Sequence, residues 1–376
     1  MSEAYYFYTE NMTVGYDGKP LIERVRIGVR RGEILTLIGP NGSGKSTILK
    51  SMIKELRLIA GTVVLDGRDM AKLKEREIAK QLAIVMTERI KGELLTCRDV
   101  VSTGRYPYTG TLGILNAEDK RIVDDAIRTV HAEDYAERPY SAISDGQRQR
   151  ILLARAIAQQ PEVIVLDEPT SFLDVKHKLE LLDILKRMVR EKNMAVIVSL
   201  HELDLAEKVS DRVVCVADGR IDRCGTPEEI FSDDYVTTLY GIENGSYNAL
   251  FGSVELPKVS GKPQVFVIGG GGSGVPVYRA LQRAGVPFAA GILPESDLDW
   301  PVAKALAAEL FSVPAFSVPT QADMQAAKAA MLKTQRVVCT VPAFGETNAA
   351  NQSLYEAAKS ARILTEVSAL LRGVEA

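Results

Sequence analysis

The chain has 376 residues, ordinary apolar content (46%) and a formal net charge of −3. That length exceeds one core of usual size and predicts two domains. The acidic balance argues against a nucleic-acid surface, and no apolar run approaches the roughly 20 residues that span a bilayer. The N-terminus, MSEAYYFYTE, lacks a basic segment followed by an apolar one, so it does not read as a signal peptide. Cys97, Cys215, Cys224 and Cys339 form no C-x-x-C pair, which argues against a zinc site or a disulfide frame and suits a reducing compartment.

In chain order, residues 5–30 read as short strands, with Tyr6, Tyr8, Met12 and Val14 alternating before a turn at Tyr16–Pro20. An apolar run, Ile34–Ile38, then leads into GPNGSGKST: Gly39, Pro40, Asn41, Gly42, Ser43, Gly44, Lys45, Ser46 and Thr47. This is the G-x-x-x-x-G-K-S/T phosphate loop, and a strand before it with a helix after it is the context the motif needs. Its glycines let backbone N–H groups turn around a phosphate chain, and the helix start adds partial positive charge. Lys45 would reach the β- and γ-phosphates, and the Ser46 hydroxyl would ligate Mg²⁺.

Gly61–Asp66 and Leu82–Met86 read as strands around a charged helix over 70–82. Residues 98–160 read as mainly helical. Within them Ser144 and Gln147 of ISDGQ form an S-x-x-Q capping box that opens a helix. VIVLDEP follows: a buried strand, Val163–Leu166, that ends in two acids. Asp167 would hold Mg²⁺ and Glu168 would polarise the attacking water. Leu179, Leu182, Leu185 and Met188 suggest a helix face. His201 ends the strand Met194–Leu200, where an imidazole can orient water at the same sheet edge. A further strand, Arg212–Val216, closes this region.

Composition shifts after Tyr240. Residues 241–263 read as a glycine- and proline-bearing linker, and 264–376 as a small α/β domain. Its expected elements are strands Val265–Ile268, Phe288–Ile292 and Val337–Val341, and helices Val277–Ala284, Val302–Leu310, Ala322–Leu332 and Leu354–Ala361. Gly269–Gly274 (GGGGSG) fits the G-x-G-x-x-G dinucleotide pattern, with Glu295 as the ribose-binding acid. Phe344–Asn348 would line the same crevice. Nucleotide binding, sensing of another ligand, and a docking or dimerisation role all remain open for this domain.

The set Tyr16, GPNGSGKST, ISDGQ, VIVLDEP, SFLD (Ser171–Asp174) and His201, in this order, resembles the ATP-binding subunit of ATP-binding-cassette (ABC) transporters over roughly residues 5–240. The resemblance implies a P-loop ATPase domain over 1–240, with a RecA-like core, an antiparallel β subdomain and a helical subdomain. A Rossmann-like C-terminal domain would follow it. The family implies that Tyr16 stacks on adenine, that Glu168 and His201 are catalytic, and that Ser144, Gly146 and Gln147 of the signature motif bind ATP held by a second copy. Mg²⁺ would be held by Ser46, Asp167 and Glu88, where a glutamine is usual. A homodimer sandwiching two ATP molecules is therefore expected, with transmembrane permease subunits and, indirectly, a substrate-binding protein as partners. The site of action would be the cytoplasmic face of the membrane.

Two departures, Glu88 and Asp145 (glycine is usual), together with Gly104–Tyr108, resemble the branch that imports iron–siderophore complexes, haem and cobalamin. In that branch the segment after Glu88 meets the permease, so residues 89–115, with Arg105, Tyr106 and Tyr108, are the expected partner surface. Glu88 and Asp145 would add negative charge near a γ-phosphate. A soluble ATPase acting on nucleic acid or ribosomes shares the same cassette and is the alternative reading.

Overall fold

The computed structural model describes residues 5–86, 95–110, 113–171 and 173–374. Glu88 lies outside them, as do residues 89–94, 111 and 112 of the expected partner segment 89–115. The chain divides into two compact units, Met1–Phe231 and Ser232–Ala376.

In the first unit, β1 (Phe7–Tyr16) turns through Asp17 and Gly18, both with positive φ, into β2 (Lys19–Val25); β3 (Gly28–Val29) also pairs with β1. The short strands expected here include one of ten residues, its register shifted between Met12 and Val14. The chain then enters β4 (Ile34–Ile38), the phosphate loop and α1 (Lys45–Met52). It returns to the first sheet as β5 (Ala60–Leu65) and β6 (Arg68–Asp69), giving an antiparallel order β2-β1-β5-β6. After α2 (Glu75–Gln81) and β7 (Leu82–Val85), three helices pack on one another: α3 (Cys97–Ser102), α4 (Ala117–Thr129) and α5 (Asp145–Ala158).

The remaining elements of this unit complete the second sheet. They are β8 (Val163–Asp167), α6 (Val175–Lys192), β9 (Ala195–Ser199), α7 (Leu203–Val209), β10 (Arg212–Ala217), β11 (Arg220–Gly225) and α8 (Pro227–Ile230). The strand order is β11-β10-β4-β9-β8-β7, parallel except for β10–β11. Every residue of β4, β8 and β9 is buried, which is why these strands read as unbroken apolar runs. On α6 the buried face is Leu181, Leu182, Ile184, Leu185, Met188 and Val189; Leu179 is exposed. A three-residue spacing drifts about 60° per step against a helical turn, and that drift carries Leu179 off the face.

The second unit begins with α9 (Asp233–Leu239) and a hairpin of β12 (Ser246–Asn248) and β13 (Ser253–Glu255). The linker expected over 241–263 therefore contains paired strands; they are too short to show a period-2 pattern in sequence. Then come β14 (Val265–Ile268), α10 (Val275–Arg283), β15 (Phe288–Pro294), α11 (Trp300–Leu306) and β16 (Glu309–Val313). They are followed by α12 (Gln321–Met331), β17 (Arg336–Cys339), α13 (Ala349–Ser360) and α14 (Val367–Val374).

The four strands are parallel in the order β16-β15-β14-β17. Alternate residues of β14 feed two cores. Val265 and Val267 pack with Tyr278, Leu281 and Val302, while Phe266 and Ile268 pack with Ala327, Met331 and Leu354. The helix expected over Val302–Leu310 ends at Leu306, and a strand follows. As an edge strand β16 is only partly buried, so ELFSV carries no strong apolar run.

Candidate functional site

The sheet order places β9 between β4 and β8, so three strand ends converge at one edge. The loop after β4 holds its glycines in positive-φ conformations that side-chain-bearing residues rarely adopt. Gly39 has φ +146, and a Cβ there would lie 2.0 Å from the Val216 carbonyl oxygen. Gly44, at φ +104, caps α1; its Cβ would meet Ile22 at 2.5 Å. The Lys45 ammonium is buried and donates to the carbonyls of Gly39 (2.7 Å) and Pro40 (3.0 Å). Burial lowers its pKa, while the nearby carboxylates of Glu168 and Asp167 pull it back up. The buried Ser43 hydroxyl has no hydrogen-bond partner among the described residues, an unmet donor within the cradle. The exposed ring of Tyr16 stands beside the loop, with its hydroxyl 3.1 Å from Thr47 Oγ1 on α1.

Across the edge, Asp167 ends β8 and is 5% exposed. Its Oδ1 accepts from Ser199 Oγ at 2.6 Å. Glu168 has φ +49, and its backbone N–H donates to the same Ser199 oxygen at 2.8 Å. The Glu168 carboxylate reaches His201 Nε2 at 2.6 Å through Oε1, and Oε2 accepts from Ser171 at 3.4 Å. Asp167 and Glu168 thus both bond Ser199, and Glu168 also meets His201. Ser199 was missed: it stands in an otherwise apolar strand directly before Leu200-His201, and that lone hydroxyl was its signal.

A carboxylate, a helix-start hydroxyl (Ser46) and few other protein donors suit Mg²⁺, which keeps positions for water and phosphate oxygens. Among the described residues no cluster of three or more His, Cys, Asp or Glu could hold a metal unaided.

The signature segment forms the capping box read from sequence. Ser144 Oγ accepts from the Gln147 N–H at 3.2 Å, and Gln147 Oε1 accepts from the Ser144 N–H at 3.0 Å. Gly146 lies against Leu173 of the SFLD turn, where a Cβ would come within 3.4 Å. Asp145 meets Arg148 Nη1 at 2.6 Å, so the extra negative charge carries its own counter-ion one helical turn along. Asp174 caps α6 through the His177 N–H at 2.9 Å, and that bond holds its carboxyl below the usual range.

The expected partner surface is revised in part. Arg105 is buried, paired with Asp119 at 2.9 Å and bonded to the Ala158 carbonyl at 2.8 Å, and Tyr108 lies over its guanidinium at 4.0 Å. Arg105 is thus turned inward against α4 and α5, while Tyr108 is half-buried, its hydroxyl donating to the Gln159 carbonyl at 3.0 Å. Tyr106 is exposed. It borders a groove of about 570 Å³ lined also by Ile53, Ile78, Leu82, Thr103 and Pro107.

In the second unit the glycine loop is engaged internally. Asp299, fully buried, accepts from the N–H groups of Gly274 (2.9 Å) and Val275 (3.2 Å) at the start of α10. Asp297 accepts from Gly271 N–H at 3.0 Å. Burial raises the Asp299 pKa, the backbone N–H groups of Gly274, Gly270 and Val275 work against it, and the charge of Asp297 adds to it. A pyrophosphate at this helix start would meet carboxylates already holding its donors. Glu295, expected as the ribose acid, is exposed; Asp297, two residues on, faces the loop. A crevice of about 640 Å³ does lie between Gly270–Ser273 and the stretch containing Thr347 and Asn348.

Residues 22–171 match the family model described as ABC transporter, and 288–369 match the MJ0874 family. The chain is 42% identical over 276 residues to the uncharacterized ABC transporter ATP-binding protein MJ0873 of Methanocaldococcus jannaschii, covering 73% of this chain and 95% of that one. The chain belongs to the ABC transporter ATP-binding proteins.

The first unit is thus an ABC cassette and the chain an ABC-type ATPase. It is also 39% identical over 235 residues to the iron(3+)-hydroxamate import ATP-binding protein FhuC of Bacillus subtilis (62% of this chain, 87% of that one). Likeness to the cobalamin import ATP-binding protein BtuD of Halobacterium salinarum is 33% over 307 residues, 80% of this chain and 77% of that one. A solved dimeric cassette, MJ0796 in a post-hydrolysis state with ADP and Pi, matches at TM-score 0.52 and 26% identity, covering 59% of this chain and 98% of that one. Among the described residues no helix is long and apolar enough to cross a membrane.

Proposed function

We propose that this ABC ATPase energises an importer for an iron complex, siderophore or haem, or for cobalamin. The observation that carries the catalytic half is the 2.6 Å contact between Glu168 and His201 at the edge that also holds Lys45 and Asp167. Glu168 is the general base and His201 orients it. Lys45, the loop N–H groups and the Ser43 hydroxyl hold the phosphates, Ser46 and Asp167 hold Mg²⁺, and Tyr16 carries the adenine. When bound, Mg²⁺ neutralises phosphate charge. Residues 1–240 serve as the ATPase domain and 264–376 as an appended α/β domain.

The composite site is proposed on packing grounds. The helix after the phosphate loop packs on β1 and β8, whereas the signature helix α5 packs on α3 and α4. A second copy therefore supplies Ser144–Gln147, and ATP closes the pair. The groove beside Tyr106 is proposed as the permease contact at the cytoplasmic membrane face. The likeness to FhuC and BtuD supports the cargo class.

The test is copurification from membranes through a Tyr106→Cys crosslink, followed by an absorption spectrum of the complex. A polytopic membrane protein carrying ferric-siderophore, haem or corrinoid bands is expected. Capture of ribosomal particles with no membrane protein would overturn the importer reading.

A further inference from the structure

Ser199 is wholly buried at the end of β9, in register with Asp167 on one neighbouring strand and with Leu37 on the other. Its hydroxyl makes two contacts whose direction is forced. The Glu168 N–H can only donate, so Ser199 Oγ accepts it at 2.8 Å; an ionised Asp167 can only accept, so the Ser199 proton points to Oδ1 at 2.6 Å. One hydroxyl thereby spans the two adjacent acids. It also bonds the backbone of Glu168 in the left-handed region, φ +49, which non-glycine residues occupy uncommonly. That backbone turn sends the Glu168 side chain to His201, while Asp167 continues the line of the strand.

We propose that Ser199 is a positioning residue of the ATPase site, a hydroxyl clamp that fixes the Mg²⁺-binding carboxylate and the general base relative to each other. The proposal rests on the assignment of Asp167 and Glu168 to those roles. Ser199 touches neither phosphate nor water in this role. It commits Oδ1 of Asp167 to the protein, so that Oδ2 is the oxygen that would hold the metal, and it sets the direction of Glu168.

The experiment uses the full chain with Ser199→Ala and Ser199→Thr. Steady-state ATPase is measured against ATP and against Mg²⁺, Mn²⁺ binding to the ATP complex by electron paramagnetic resonance, and ATP binding in EDTA by fluorescence. Positioning residues beside metal ligands typically change activity or metal affinity about 10- to 100-fold. Ser199→Ala should lower kcat by that order and weaken Mn²⁺ binding, with ATP binding in EDTA unchanged, and Ser199→Thr should recover both. Wild-type kcat and Mn²⁺ affinity in Ser199→Ala would overturn the proposal. So would equal impairment of the alanine and threonine variants, since the loss would then follow packing and not the hydroxyl. Lys45→Ala run alongside separates the two layers. Unchanged ATP binding there sinks the site assignment itself, whereas its loss beside an unaffected Ser199→Ala sinks only the clamp.

Discussion

His201 Nε2 and Glu168 Oε1 stand 2.6 Å apart, although 33 residues separate them in sequence. They meet because β8 and β9 are paired neighbours whose ends lie level, Asp167 opposite Ser199. A base held this way acts as a unit with its orienting imidazole. Glu168→Gln should lower kcat by about 10²- to 10⁴-fold, the usual worth of general-base catalysis, while keeping ATP affinity. His201→Ala should cost less alone and add little on top of Glu168→Gln, because both act on one step. Sedimentation of Glu168→Gln under saturating ATP should show a dimer; a monomer would count against the sandwich.

Lys45 gives a pH signature. Burial lowers its pKa in the free protein, whereas bound phosphates favour the charged amine and raise it. Between those two values binding takes up a proton. Affinity for ATP should therefore fall as pH rises through the free-protein value, which lies below the ordinary lysine range. It should level off above the bound value. Titration calorimetry in two buffers of different ionisation enthalpy reads this proton uptake directly, and none in that window would refute the linkage.

The Asp145–Arg148 pair implies that the signature's extra carboxylate is neutralised locally. Arg148→Ala should weaken the ATP-driven dimer by on the order of 1 kcal/mol, about fivefold in the dimerisation constant, as expected for a partly exposed pair. Asp145→Asn in the same chain should restore it. An equal loss in the double variant would assign the effect to Arg148's bond to the Ser141 carbonyl instead.

Arg105 and Asp119 are a buried pair, so removing one partner strands the other charge. Arg105→Ala should destabilise the cassette by about 3–5 kcal/mol, whereas Arg105→Met with Asp119→Leu should cost far less. Denaturant unfolding checks both. Similar losses in the single and double variants would show that Arg105 works mainly through its bond to the Ala158 carbonyl.

In the second unit, glycines of one motif should differ in tolerance. A Cβ on Gly274 would lie 2.5 Å from the Tyr278 hydroxyl and 2.8 Å from Asp299, whereas one on Gly271 meets nothing within 4 Å. Gly274→Ala should destabilise this unit by about 1–3 kcal/mol through overpacking. Gly271→Ala, at φ +63, should cost only the backbone strain, about 1 kcal/mol. Hydrogen exchange at β14 amides distinguishes them; the reverse order would mean the loop repacks.

The phosphate loop, the paired acids, the histidine and the signature cap were all legible in the sequence. In each, the chemistry is written in neighbouring residues: glycines and a lysine at fixed offsets, acids ending an apolar run, a serine three before a glutamine. The buried strands β4, β8 and β9 were legible for the same reason, because burial on both faces leaves a continuous apolar run. Edge strand β16 and the hairpin of β12 and β13, half-exposed or very short, left no such trace. Ser199 as a clamp on two acids, Arg105 turned inward to Asp119, and Asp299 filling the glycine loop of the second unit were decided only by the tertiary structure. Each depends on a partner 14 to 32 residues away, brought within hydrogen-bond distance by strand register or helix packing. A motif shows which groups are available; the fold determines which of them are already bonded to each other.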